Sequence, residues 1–115
     1  MAVTNLFAGC AIADVGAARA FYERLFGREP DLIPNASEAC WRLGEGMWVY
    51  FVLDVDRAGR GIHTILVDDL DALVADWASR AISPDEIRQE GPAGRKARVF
   101  DPDGNELGFA QVASP

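Results

Sequence analysis

Histidine is almost missing from this chain: His63 is the only one in 115 residues. Cysteine is nearly as scarce, with Cys10 and Cys40 alone. No zinc-type cysteine spacing, no phosphate-binding glycine loop and no serine–histidine–acid set is spelled out. Basic residues are in deficit, 11 Lys and Arg against 18 Asp and Glu, for a formal net charge of −7. A surface of that sign repels phosphate backbones and anionic bilayers, so neither a nucleic acid nor a membrane is an expected partner. No apolar run approaches the roughly 20 residues of a membrane span, and no basic stretch leads into an apolar core near Met1. Each cysteine lies inside an apolar strand run, where a reduced, buried thiol is usual. A cytoplasmic protein with free thiols is the expectation.

What the chain does have is the same pattern twice. Ala11-Ile12-Ala13-Asp14-Val15 leads into Ala18, Phe21, Tyr22, Leu25 and Phe26 and closes on Gly27. Ile65-Leu66-Val67-Asp68-Asp69-Leu70 leads into Leu73, Val74, Trp77, Ala78 and Ala81. Asp69 stands 55 residues after Asp14, too long a period for a helical solenoid and right for two half-domains. Half of the residues are hydrophobic and a quarter charged, the balance of one globular domain spanning residues 1–115.

Each half reads as β-α-β-β-β. In the first, a strand over Asn5 to Ala13 meets Asp14, whose carboxylate suits the open donors of a helix start. The helix runs to about Phe26 with Val15, Ala18, Tyr22 and Leu25 on one face, and Gly27 ends it. A short strand near Asp31 to Ile33 is broken by Pro34-Asn35. Glu38 to Leu43 and Met47 to Leu53 then alternate as a hairpin around Gly44-Glu45-Gly46. Module one thus covers about residues 1–54, and a charged linker about 55–61. Module two, about 62–113, repeats the order. Its strand over Ile62 to Val67 precedes a helix capped by Asp69, with Leu70, Leu73, Val74, Trp77 and Ala81 inward and Ser83-Pro84 as the stop. A strand near Glu86 to Gln89, a turn at Gly91-Pro92-Ala93-Gly94, and strands Ala97 to Phe100 and Glu106 to Val112 complete it.

Asp14 followed by Phe21-Tyr22-Glu23-Arg24-Leu25-Phe26-Gly27, with Phe100-Asp101-Pro102-Asp103-Gly104-Asn105 before the last strand, resembles the vicinal oxygen chelate superfamily. That group includes glyoxalase I, extradiol dioxygenases, fosfomycin-resistance enzymes and bleomycin-resistance proteins. The resemblance covers essentially the whole chain. It implies an α+β fold of two βαβββ modules forming a curled mixed sheet with a central cleft where ligands sit. It also implies a homodimer, since the family usually builds its cleft from paired modules. Metal-using members take ligands from four strand positions, which correspond here to Phe7, Tyr50, Ile62 and Gly108. Phenylalanine, isoleucine and glycine side chains carry no metal donor, and one tyrosine does not hold a metal alone. No metal and no cofactor are therefore expected.

Strand parity puts Phe7, Gly9 and Ala11 toward the cleft, with Trp48, Tyr50 and Val52, then Ile62, Thr64 and Leu66, then Glu106, Gly108 and Ala110. This is an apolar, aromatic lining with few polar anchors, the usual character of a small-molecule site. Gly108 leaves space where its relatives place a ligand. The same residues would also serve as plain core. His63 falls on the opposite parity to Ile62 and is expected to point away from the cleft. Trp41 suits either a sheet surface or a partner chain. Asp101 and Asp103 make a carboxylate pair that the surrounding proline and glycine explain as a hairpin turn. Arg57, Arg60, Arg95, Lys96 and Arg98 edge the loops as solvated surface.

The expected function is metal-free binding of a small, partly aromatic organic molecule in an apolar cleft. Phe7, Trp48 and Tyr50 would stack on it, with Tyr50, Thr64 or Glu106 orienting it and Ile62 and Gly108 completing the wall. The alternative is an enzyme of the same superfamily. It would be a metal-independent isomerase, lyase or hydrolase with Glu106 and Tyr50 as acid and base, or a metal enzyme with relocated ligands. A structural or regulatory module with a closed pocket is a third class.

Overall fold

A computed structural model describes residues 1–91 and 94–112. The chain order is β1 (Leu6–Ile12), α1 (Val15–Phe26), β2 (Leu32–Asn35), β3 (Glu38–Gly44), β4 (Met47–Leu53), a 3-10 turn (Val55–Arg57), β5 (Ile62–Leu66), α2 (Leu70–Ser79), β6 (Glu86–Glu90), β7 (Gly94–Phe100) and β8 (Glu106–Gln111). Two four-stranded mixed sheets result, ordered β1-β4-β3-β2 and β5-β8-β7-β6. In each, the strand before the helix pairs parallel with the last strand, β1 with β4 and β5 with β8, and the other pairs are antiparallel. The fold is α+β with two βαβββ modules. Pro92 and Ala93 of the expected glycine-rich turn, and residue 113 at the end of module two, lie outside the described residues.

The repeated aspartates work as helix caps. Asp14 accepts from the Ala17 backbone N–H at 3.0 Å and Asp69 from that of Ala72 at 3.0 Å. Gly27 ends α1 in the left-handed conformation, φ 71°. The end of α2 differs from the expectation that it reach Ala81. It stops at Ser79, and Ala81 takes φ 61°. The Ile82 N–H returns to the Trp77 carbonyl at 2.9 Å and the Ala81 N–H to that of Ala78 at 3.4 Å, the paired closure of a Schellman turn. Alanine occupies the position glycine usually fills, which is why the stop was not readable there. Ala81 is exposed, and Ile82 enters the core in its place. β2 also outruns its expected break, continuing to Asn35 through Pro34. It is an edge strand with a register shift between Leu32 and Asn35, where a residue lacking an N–H is tolerated.

The core lies on the helix-facing side of both sheets and is continuous between modules. Cys10, Ile12, Trp41 and Phe51 meet Tyr22 and Leu25 of α1, and Trp77 of α2 joins Leu107 and Phe109 in the same cluster. Trp41 is therefore a core residue, fully buried, its indole N–H donated to the Arg28 carbonyl at 3.0 Å. The Trp77 indole N–H crosses to the Leu25 carbonyl at 3.1 Å and ties the helices together.

A polar clasp joins the modules beside this core. Asn105, 0 % exposed, accepts from the Gly61 N–H at 2.7 Å and donates to the Ala11 carbonyl at 2.8 Å and to Asp101 Oδ2 at 2.7 Å. Asp101 also accepts from the Tyr22 hydroxyl at 2.8 Å and from the backbone N–H groups of Asp103 and Asn105 at 2.9 Å each. Asp103 Oδ2 reaches the Ala13 N–H at 3.2 Å. Gly59, at φ 83°, lies flat against the Asp103 carbonyl, so any side chain there would strike backbone. The hairpin turn that explained these acids is thus also the fastening of module two onto module one.

Candidate ligand site

The ladder registers decide which side chains share a face. On the first sheet Phe7 lies opposite Trp48, Gly9 opposite Tyr50 and Ala11 opposite Val52, while Tyr50 faces Cys40 and Val52 faces Glu38 on the next strand. Alternation puts all of these on the side away from α1, since Cys10, Ile12, Trp41 and Phe51 occupy the helix side. On the second sheet Ile62 lies opposite Glu106, Thr64 opposite Gly108 and Leu66 opposite Ala110, with Arg98 opposite Gly108 and Lys96 opposite Ala110.

A cavity of about 440 Å³ opens on the outer face of the first sheet, lined by Phe7, Leu32, Pro34, Glu38, Cys40, Tyr50, Val52 and Arg57. Its aromatic wall is ordered. Phe7 stacks on Trp48 with ring centroids 5.0 Å apart and 11° between planes, and meets Tyr50 edge-on at 6.2 Å. The Trp48 indole N–H is held by Asn5 Oδ1 at 3.0 Å. Tyr50 spreads over Gly9, where an added Cβ would come within 2.7–2.8 Å of the ring, so glycine lets the phenol lie flat on the sheet.

The second sheet presents a different surface. Ile62 is 74 % exposed. Thr64 Oγ1 lies 3.4 Å from Lys96 Nζ, and the Lys96 side chain occupies the space above Gly108. The opening expected at Gly108 is filled in this way. Glu106 is held by Arg98 at 3.4 Å, and Arg98 also pairs with Asp85 and Glu86 at 3.2 and 3.1 Å. The seven residues expected to line one cleft therefore fall into two groups. Phe7, Trp48 and Tyr50 meet on the first sheet, whereas Ile62, Thr64, Glu106 and Gly108 stand on the second. Glu106 and Tyr50 are on different sheets, and the partner of Glu106 is a guanidinium.

His63 turns to the other sheet, its Nε2 2.9 Å from the Gly9 carbonyl, where the donating tautomer links β5 to β1. The residues present do not fit the divalent metal of the wider superfamily. Phe7, Ile62 and Gly108, three of the four corresponding positions, offer no donor, Gly108 being covered by the Lys96 side chain, and the fourth, Tyr50, does not hold a metal alone. Among the described residues no group of three or more His, Cys, Asp or Glu side chains is placed to hold a metal ion.

Leu32, Pro34, Glu38, Cys40 and Arg57 line the cavity and were not among the expected site residues. For β3 the signal was available: Glu38 and Cys40 share parity with Val52 and Tyr50 once the hairpin register is known. Burial, then the neighbouring Glu38 charge, pushes the Cys40 thiol above its ordinary value, so it stays protonated. Arg57 comes from the linker, fixed by the Asp54 carboxylate at 2.8 Å.

No protein-family model matches the chain, and no curated protein does. Solved structures do match. The architecture is that of the vicinal oxygen chelate superfamily, shared over 98 % of this chain with an antibiotic binding protein from Streptomyces sp. CB03234 (24 % identity, 99 % of that chain, TM-score 0.78). A bleomycin-binding protein from Streptomyces verticillus, solved with copper(II)-bleomycin, matches at 28 % identity over 95 % of this chain and 96 % of its own, TM-score 0.74. A glyoxalase / bleomycin resistance protein from Catenulispora acidiphila DSM 44928 matches at 39 % identity, covering 95 % of this chain and 98 % of that one, TM-score 0.91. The chain belongs to the glyoxalase / bleomycin resistance protein family.

Proposed function

We propose that this protein binds a small, partly aromatic organic molecule on the outer face of the first sheet, without a metal and without transforming it. The observation that carries this reading is the cavity of about 440 Å³ whose wall holds Phe7 and Tyr50, with Trp48 stacked behind Phe7. Its size and mostly apolar lining suit a compact aromatic ligand. The bleomycin-binding relative, similar along nearly the whole chain, supports binding as the activity. Cys40, the thiol in the wall, is held protonated, which favours a wall over a nucleophile.

The reading extends to a cytoplasmic homodimer. Phe7, Leu66 and Ile62 are 44 %, 55 % and 74 % exposed on the outer faces of the two sheets. A second copy laid over these faces removes that apolar surface from water and closes the cavity. The two thiols are free and buried, as suits a reducing compartment. Among the described residues no helix is long and apolar enough to cross a membrane.

Tryptophan emission tests the reading. Trp41 and Trp77 are fully buried, whereas Trp48 stacks on Phe7, a residue of the cavity wall, and so reports on that wall. Titration with a panel of aromatic antibiotics is expected to quench the Trp48 part of the emission saturably and to raise the melting temperature. The Tyr50→Ala variant is expected to lose both responses. Quenching that survives Tyr50→Ala unchanged would place the ligand elsewhere.

A further inference from the structure

We infer that the cavity selects ligands carrying a cationic nitrogen beside their aromatic part, with Glu38 as the anchor. This rests on the reading of the cavity as a binding site and adds the charge of what binds there.

Two side chains in the wall carry formal charge, Glu38 and Arg57. Arg57 is already answered. Its Nε donates to Asp54 Oδ2 at 2.8 Å, its backbone N–H reaches Asp54 Oδ1 at 3.3 Å, and Asp54 holds the guanidinium further toward its protonated form. The other cation on this face, Arg42, lies two same-face positions along β3 beside Asp31, whose carboxylate accepts its backbone N–H at 2.7 Å. Together with Arg28, Arg42 lowers the Asp31 pKa.

Glu38 is the exception. Half-buried, it begins β3 opposite Val52 and Asn35, and among the described residues its side chain has no hydrogen bond and no ion pair. Its charge is felt at Cys40, two residues along on the same face, which it helps keep protonated. The cavity therefore presents Phe7 and Tyr50 to a ring and one unanswered carboxylate to whatever the ring carries. An ammonium or amidinium group completes that carboxylate, a carboxylate or phosphate is repelled, and a neutral group leaves it to water.

Three naphthalene probes of one shape separate these cases: 2-(1-naphthyl)ethylamine as the cation, 2-(1-naphthyl)ethanol as the neutral form and 1-naphthylacetate as the anion. Binding is read from the NMR shift of the Trp48 indole N–H in full-length protein. The amine is expected to bind about fivefold more tightly than the alcohol, the scale of a partly exposed charge pair, and the anion more weakly than either. Glu38→Gln, nearly equal in shape, is expected to remove the amine's advantage over the alcohol. Asp54→Asn frees Arg57 and is expected to raise the anion's affinity. Equal binding of all three probes, or an amine preference that survives Glu38→Gln, would overturn the anchor and leave the cavity standing. A Trp48 signal unmoved by every probe would overturn the cavity itself, and the anchor with it.

Discussion

Asn105 is the residue whose removal tests the clasp most directly. Truncation to alanine deletes three hydrogen bonds at once, to the Gly61 N–H, the Ala11 carbonyl and Asp101 Oδ2. It leaves Gly61 and Ala11 with backbone groups shielded from water, each worth roughly 1–3 kcal/mol when left unmade. Taking the lower part of that range, because Gly61 and Ala11 are only partly buried, the loss comes to about 3 kcal/mol. For a domain of this size that is a fall of about 12 °C in Tm. Denaturant unfolding followed by tryptophan emission measures it, with Trp41 reporting on module one and Trp77 on module two. Asp103→Ala, which removes one 3.2 Å bond at an exposed site, is expected to cost less than 1 kcal/mol. Asn105→Asp supplies a second reading. The introduced carboxylate would face Asp101 where an amide now donates, and like charges raise its pKa in the folded state. Its deficit relative to wild type is then full at neutral pH and shrinks as pH falls toward about 4. A loss below 1 kcal/mol for Asn105→Ala, or a deficit for Asn105→Asp that ignores pH, would refute the clasp as the joint between modules.

Alkaline pH is expected to unfold the protein early. Burial pushes Cys10 from 9.0 up to about 11 and raises Tyr22 as well, so both hold their protons longer folded than unfolded. Stability is full below pH 9 and falls by up to about 2–3 kcal/mol by pH 11 through Cys10 alone; Cys10→Ala flattens that part of the curve, measured by melts across pH. Gly59→Ala is expected to cost more than 3 kcal/mol, since its Cβ meets the Asp103 carbonyl in a left-handed backbone. Gly108→Ala, which displaces the flexible end of Lys96 and otherwise meets the His63 carbonyl at 3.4 Å, should cost less than 1 kcal/mol in the same denaturation assay. Ala81→Gly relieves the left-handed C′ position and is expected to raise stability by about 0.5 kcal/mol, the strain released less the entropy given to the unfolded chain.

The fold was legible because each module announces its helix twice over, by a capping aspartate and by apolar residues at three-and-four spacing. Where an element ended on an unusual residue, legibility failed. Ala81 adopts a conformation that alanine disfavours and is held there by two returning hydrogen bonds. Pro34 sits in a strand only because that strand is an edge. Asp101 and Asn105 were visible as turn residues, but their contacts reach Tyr22, 79 residues away, and Ala11, 94 residues away. No local pattern carries such pairings, so the clasp could emerge only once the modules were packed.

Which side chains share a face was legible for a related reason. Parity put Phe7, Trp48 and Tyr50 on one face correctly, because alternation is a property of a single strand and needs no partner. The same counting directed Ile62, Thr64, Glu106 and Gly108 toward the cleft, and these stand on the second sheet. Repetition of backbone does not bring repetition of surface. On the first sheet the outward positions around Tyr50 are Gly9, Cys40 and Val52, small or apolar, and a cavity forms there. On the second, Lys96 and Arg98 cross the corresponding ground, one filling the space over Gly108 and the other gathering Asp85, Glu86 and Glu106. The long side chains of β7, rather than any change of fold, make the two faces unlike. Replacing Lys96 with alanine is the decisive comparison: if side-chain length alone separates the faces, the naphthalene probes should acquire a second, weaker site on the outer face of the second sheet, and a single site before and after would show that the backbones themselves differ.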